Sequence, residues 1–144
     1  NALIDRVLSL ATFDIENSGI VIHKDMLDAL PTVNADRALL EQVFLNLIIN
    51  AVHAMPGGGE IRISGKSDEN FAEIMIWDKG SGIPSDIRSK IFDPFFTTKT
   101  GGTGLGLSIA YNIVKSHGGR LFFNSDEGKG TVFTVRLPRG ADNG

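Results

Sequence analysis

Apolar side chains recur at three- and four-residue spacing in Leu3, Ile4, Val7, Leu8, Leu10 and Ala11, the signature of one helix face. That helix is expected to end near Asn17-Ser18-Gly19, where Asn and Gly suit a carboxyl cap. A short strand, Ile20 to His23, should follow. Asn34 or Asp36 is placed to cap a second helix, whose apolar positions are Leu39, Leu40, Val43, Phe44, Leu47, Ile48 and Ala51. Met55-Pro56-Gly57-Gly58-Gly59 stops it, and its length and apolar face make it the main core helix. Ile61 and Ile63 then alternate with polar residues, a polar turn covers Lys66 to Asn70, and Ala72, Ile74 and Ile76 alternate again. This is the pattern of a hairpin. Period two carries Asp78 to the side of Ile74 and Ile76, which sets an acid at the end of an apolar strand face.

Between Gly80 and Gly104 the pattern is too irregular for one long element, although Ile83 to Lys90 is compatible with a short helix. The stretch is expected to act as a mobile loop. Helical spacing returns in Leu105, Ile109, Ile113 and Val114, ends at Gly118-Gly119, and gives way to strands at Arg120 to Asn124 and Thr131 to Leu137. Helix, strand, helix, two strands, loop, helix, two strands: the order predicts an α/β (α+β) two-layer sandwich, with helices on one face of a mixed sheet.

Composition narrows the function classes. The chain has 144 residues, 42% of them hydrophobic, enough for one core without disulfides or structural metal. Fourteen Lys and Arg against 17 Asp and Glu leave a net charge of -3, too little for the broad field that drives binding to nucleic acid or a membrane surface. With no cysteine, thiolate metal sites and a cysteine nucleophile are excluded, and a reducing, cytoplasmic setting is the default. No apolar run approaches the roughly 18 to 20 residues of a spanning helix, and the amino terminus lacks a targeting pattern. Because the chain opens on Asn1 in mid-helix pattern, it is expected to be a piece of a longer protein. The expected division is an amino-terminal helix over 1–18, a domain over 19–138 and a flexible tail over 139–144.

Four places invite chemistry. Asn46 and Asn50, four residues apart, share one side of the second helix, with Gln42 a turn before and His53 close behind. A carboxamide oxygen is a hard neutral donor that suits Mg²⁺ when phosphates and waters complete the shell; equally, both Asn suit a polar helix flank. Asp78-Lys79-Gly80-Ser81-Gly82-Ile83-Pro84 sets a carboxylate beside glycines that let backbone approach a flat ligand, and also makes a good turn. An Asp there can accept a hydrogen bond from the exocyclic amine of adenine. Gly101-Gly102-Thr103-Gly104-Leu105-Gly106-Leu107 opens a helix, where free N–H groups and the dipole favour phosphate. It is neither a Rossmann fingerprint nor a P-loop. Lys99 lies just upstream, within reach of a terminal phosphate or simply in solvent. Phe92-Asp93-Pro94-Phe95-Phe96 holds three aromatics in a loop, which anchor the loop to the core, fasten a lid over a ligand, or both.

In this order the segments resemble the ATP-binding domain of sensor histidine kinases, within the superfamily of gyrase, heat-shock chaperone, histidine-kinase and mismatch-repair ATPases. Leu45 to Ala51 is similar to the family's asparagine box, Asp78 to Pro84 to its first glycine box, Phe92 to Lys99 to its phenylalanine box, and Gly102 to Leu107 to its second glycine box. Gly128-Lys129-Gly130-Thr131 resembles the closing glycine-threonine box. The match runs from about Ile20 to Leu137 and implies the Bergerat-type ATP-binding fold.

Carried over residue by residue, the resemblance implies that Asn50 is a Mg²⁺ ligand and Asp78 the adenine-reading acid, with Thr131 beside it. Gly80, Gly82 and Ile83 then line the base; Lys99, Gly102, Thr103, Gly104, Leu105 and Gly106 surround the phosphates of ATP, later ADP. Asn46 and Lys99 are the implied catalytic positions. Gyrase- and chaperone-type relatives usually carry at the position of Asn46 a Glu that activates water, so spontaneous hydrolysis is expected to be slow. His53 stands where many of these kinases place Lys, Arg or Gln near the phosphates; a satisfied helix-end His is the alternative.

The family's phosphoacceptor is a histidine on a separate helical-hairpin dimerisation domain. His23, His53 and His117 lack that setting, so this chain is expected to bind Mg-ATP without autophosphorylating by itself. The implied partners are that hairpin and, through the intact kinase, a response-regulator receiver domain; no nucleic acid or direct membrane contact is expected. Two other functions stay open at this point: an anti-sigma-factor-like serine kinase, which shares the fold and an Asn-Ala-x-x-His run like Asn50 to His53, and a nucleotide-binding regulatory module without transfer chemistry.

Overall fold

The main apolar helix forms as α3, Arg37–His53. In the computed structural model, which describes residues 2–25, 33, 35–93, 106–126 and 128–139, Asp36 supplies its cap. The Asp36 carboxylate accepts the Leu39 N–H at 3.1 Å, satisfying one of the orphan donors of the first turn; Asn34 lies outside the described residues. Leu40, Val43, Phe44, Leu47, Ile48, Ala51 and Val52 are buried on α3, a wide apolar face at helical period. Ile4 and Val7 of α1 (Ala2–Leu10) and Ala110 and Val114 of α4 (Gly106–Ser116) join the same core. Each Val, Leu, Ile or Phe among them contributes about 1.5–3 kcal/mol by leaving water.

The sheet beneath contains β1 (Ile20–Asp25), β2 (Gly59–Ser67), β3 (Phe71–Asp78), β4 (Arg120–Asp126) and β5 (Gly130–Pro138). Their spatial order is β1-β2-β3-β5-β4, with β1 parallel to β2 and every other pair antiparallel. The expected α/β two-layer sandwich with a mixed sheet is therefore present. Alternation decides which side chains meet the helices. Ile63, Ile76, Phe133 and Phe123 form one row across β2, β3, β5 and β4, and Ile61, Asp78, Thr131 and Ser125 form the next row towards the strand ends. The first row is apolar; the second changes from apolar to polar as it crosses the sheet.

Two expectations need correction. The amino-terminal helix over 1–18 is two helices, α1 and α2 (Thr12–Asn17), broken at the buried Ala11. The Thr12 hydroxyl donates to the Leu8 carbonyl at 3.0 Å, the back-bonding that bends a helix. Ion pairs of Asp5 with Lys24 and of Arg6 with Glu41 tie α1 to β1 and α3. The short helix allowed for within Ile83 to Lys90 is present as a 3-10 turn at Arg88–Lys90, and the Ile83 carbonyl accepts from the Arg88 side chain. The other correction is at the carboxyl end, where Arg139 does not belong to a loose tail. It pairs with Val33 and its N–H donates to the Asn70 carbonyl at 2.9 Å; positions 140–144 lie outside the described residues. Among the described residues no helix is long and apolar enough to cross a membrane.

Candidate functional site

The polar half of the second row is where the predicted residues gather. Asp78 and Thr131 are each 7% exposed, and they face one another across β3 and β5. A carboxylate this deep costs several kcal/mol unless hydrogen bonded. Its Oδ1 accepts the Gly80 N–H at 2.9 Å, which turns the chain as it leaves the sheet. Gly80 is required by contact: a Cβ there would stand 2.7 Å from the Ala54 carbonyl oxygen and 2.8 Å from Ala54 Cβ. The loop thus lies directly on the carboxyl end of α3. Gly130 is required on the other side, since its φ is +118° and a Cβ would come within 2.1 Å of the Asp78 carbonyl oxygen.

The loop Asp78 to Ile83 is held along its length. The Gly128 N–H donates to the Ser81 carbonyl at 2.7 Å, and the Ile83 N–H donates to Ser125 Oγ at 2.7 Å. Ser125 Oγ also lies 2.9 Å from Thr131 Oγ1 and 3.2 Å from the Gly130 carbonyl. Arg88 donates from Nε to the Ile83 carbonyl at 3.0 Å and from Nη2 to the Ser125 carbonyl at 2.7 Å. Asp78, Arg88, Ser125 and Thr131 line a cavity of about 520 Å³ at the strand ends, with Trp77 and Val132 of the outer sheet face also in its wall. Asn46, Asn50 and Gly80 do not line it, so it opens on the β4–β5 side of Asp78 rather than towards α3. Sequence reasoning missed Ser125 and Arg88. Ser125 was accessible in principle, because a short turn from β4 to β5 fixes it opposite Thr131; nothing in the local pattern signals Arg88.

On α3, Asn46 is half-buried and donates from Nδ2 to the Gly106 carbonyl at 3.0 Å, so the asparagine box touches the last glycine of the second glycine box. Asn50 is half-buried one turn further on, and His53 is exposed at the last turn. Lys99, Gly102, Thr103, Gly104 and Leu105 lie outside the described residues, as do Phe95 and Phe96. Phe92 is half-buried. Its ring stacks on Tyr111 at 4.9 Å and meets Phe123 and Phe133 edge-on at 5.9 and 6.5 Å, so the loop's first aromatic is an anchor to the core. Next to the site, Lys79 pairs with Glu60 at 3.1 Å. That hydrogen bond, with the ammonium charge, holds the exposed Glu60 carboxyl below its usual range.

No group of three or more His, Cys, Asp or Glu able to hold a metal occurs among the described residues. A divalent ion here would depend on a neutral donor such as Asn50 plus oxygens from a ligand. That donor set fits Mg²⁺, which keeps waters and phosphate oxygens and takes few protein ligands.

A helix layer over a mixed five-stranded sheet, with a buried acid and glycine turns at the strand ends, defines a two-layer α/β domain with its polar site at the strand ends. Residues 35–141 match the family described as Histidine kinase-, DNA gyrase B-, and HSP90-like ATPase, and the chain belongs to it. It is 41% identical over 138 residues to the sensor histidine kinase ZraS of Escherichia coli (strain K12), covering 96% of this chain and 30% of that kinase. The chain therefore spans less than a third of the length of that curated relative. Among solved structures, the catalytic domain of histidine kinase ThkA, in a nucleotide-free form, superposes with a TM-score of 0.86 at 35% identity, covering 97% of this chain and 94% of that one. ThkA in complex with the response regulator protein TrrA gives 0.83 at 32% identity, covering all of this chain and 41% of that one. The fold and family are those of histidine-kinase catalytic, ATP-binding domains.

Proposed function

We propose that this chain binds Mg-ATP and donates the γ-phosphate to a histidine on a separate helical hairpin of the same kinase. The observation that carries the reading is the buried Asp78–Thr131 pair beneath a loop that glycine presses onto α3. Asp78, an acceptor when ionised, receives the exocyclic amine of adenine, with Thr131 beside it and Gly80, Gly82 and Ile83 along the ring. Asn50 offers its carboxamide oxygen to Mg²⁺, which supplies charge neutralisation at the phosphates. Asn46 holds the start of α4 in place through Gly106, and Gly102 to Gly106 with Lys99 meet the phosphates. His53, exposed at the end of α3, is placed to reach the same end of the ligand.

Transfer then depends on positioning and electrostatics rather than covalent chemistry by the protein. With Asn46 in place of a water-activating carboxylate, the phosphoryl group is kept for the histidine. The phosphorelay reading, with a receiver domain as the next acceptor, is supported by the likeness to ThkA, whose complex with TrrA joins such a pair. We place the domain in the cytoplasm, where its nucleotide is.

Calorimetric titration with a non-hydrolysable ATP analogue, with and without Mg²⁺, tests the reading beside Asp78→Asn. Magnesium-assisted binding that the variant loses supports it. A folded chain that binds nothing refutes it.

A further inference from the structure

We infer that Arg88 is a positioning residue for nucleotide binding: together with the Ser125 hydroxyl it latches the loop Asp78 to Ile83 onto β4 in the shape that receives the base. The inference rests on the reading that Asp78 meets adenine. Arg88 acts through Ile83 and Ser125, whose carbonyls its guanidinium meets.

The latch uses both polar groups of one residue. The Ile83 N–H donates to Ser125 Oγ at 2.7 Å, and the Ile83 carbonyl accepts Arg88 Nε at 3.0 Å. The same guanidinium reaches the Ser125 carbonyl at 2.7 Å through Nη2. One planar fork thus closes a ring between two segments 42 residues apart in sequence, with charge-assisted bonds that a single ammonium cannot duplicate. Ser125 sits in the row of Asp78 and Thr131, so the far end of the loop is fixed to the strand layer that holds its near end.

The tether matters because of what it restrains. Lys79, Gly80, Ser81 and Gly82 separate Asp78 from Ile83, and Gly82 sits at φ +79°. Glycine-rich backbone has the most conformational freedom to lose when a ligand orders it. Fixing Ile83 beforehand removes part of that cost from binding, and preorganisation of this kind appears as affinity. Arg88 also opens the 3-10 turn that leads to Ile91 and Phe92, so the latch joins the base-reading loop to the aromatic anchor.

The test compares the chain with Arg88→Gln, Arg88→Lys and Ser125→Ala, by titration with ADP and with adenosine and by amide hydrogen exchange without ligand. Arg88→Gln should weaken both ligands alike, by roughly tenfold, because what is lost is the shape of the base loop. Arg88→Lys should fail to restore binding, and Ser125→Ala should act in the same direction. In the ligand-free protein the Ile83 amide should exchange faster in the variants, while the sheet amides of Ile63 and Ile76 keep their protection. Loss of ADP binding with adenosine untouched would mean that Arg88 contacts phosphate directly, and would overturn the inference. Unchanged binding and unchanged Ile83 exchange would overturn it too, with the nucleotide reading intact. A wild-type chain that binds neither ligand would instead remove the nucleotide reading and the inference with it.

Discussion

Asn46 on α3 donates a hydrogen bond to the carbonyl of Gly106 at the start of α4, across 3.0 Å and 60 residues of sequence. The bond joins the helix that carries Asn50 to the first residue of α4. Replacing Asn46 by Ala should cost about 1 kcal/mol in urea unfolding. Asn46→Asp should cost more at neutral pH, because an ionised carboxylate has no proton to offer Gly106 and sets two acceptors face to face. An Asn46→Ala variant as stable as the wild type would show that the bond contributes nothing.

Gly80→Ala introduces a methyl group 2.7 Å from the Ala54 carbonyl oxygen. Since backbone rather than a flexible side chain stands in the way, the loop must lift from α3. Nucleotide affinity should fall more than tenfold, with a stability loss of roughly 1–3 kcal/mol. Titration of the folded variant, with an unfolding curve beside it, separates the two effects.

Phe92→Ala should destabilise the domain by about 2–3 kcal/mol, less than a fully buried Phe because the ring is half-exposed. Tyr111 loses its stacked partner at 4.9 Å, so Phe92→Leu should recover much of the loss. Thermal unfolding of the pair checks this; a Leu variant as weak as Ala would argue for a specific ring–ring term.

The hairpin turn between β2 and β3 carries a pH dependence. Asp68 accepts the N–H groups of Asn70 and Phe71, both at 2.8 Å, and these bonds, the Asn70 one foremost, hold its carboxyl below the ordinary 3.8. A depressed folded value means stability that is present above 3.8 and is lost as pH falls through that lower value. The stability gap between the wild type and Asp68→Ala should therefore be constant near neutrality and close on acidification below 3.8. A gap that does not change with pH would refute the assignment.

Local periodicity carried much of this fold. α3 announces itself through seven apolar positions at helical spacing, and the β2–β3 hairpin through strict alternation around a polar turn. Asp78 was legible as an anomaly, an acid on an apolar face, and the burial of that face is what makes it one. Long-range pairing was not legible. No local signal says that β5 enters between β3 and β4, although this insertion alone sets Thr131 beside Asp78. The break at Ala11 escaped notice because apolar spacing continues through it while a hydroxyl competes for the Leu8 carbonyl. Arg88 reads as one charge in a loop until folding brings Ser125 to it.

α3 meets the walls of the proposed nucleotide site at two points, Asn46 against Gly106 and Ala54 against Gly80. Eight residues separate them, about 12 Å at the rise of an α-helix. The helix is thus a ruler whose graduations are peptide units, and one inserted or deleted residue would change its length and rotate one contact by about 100° relative to the other. The gauge of the ligand is written into the backbone geometry of a single core element.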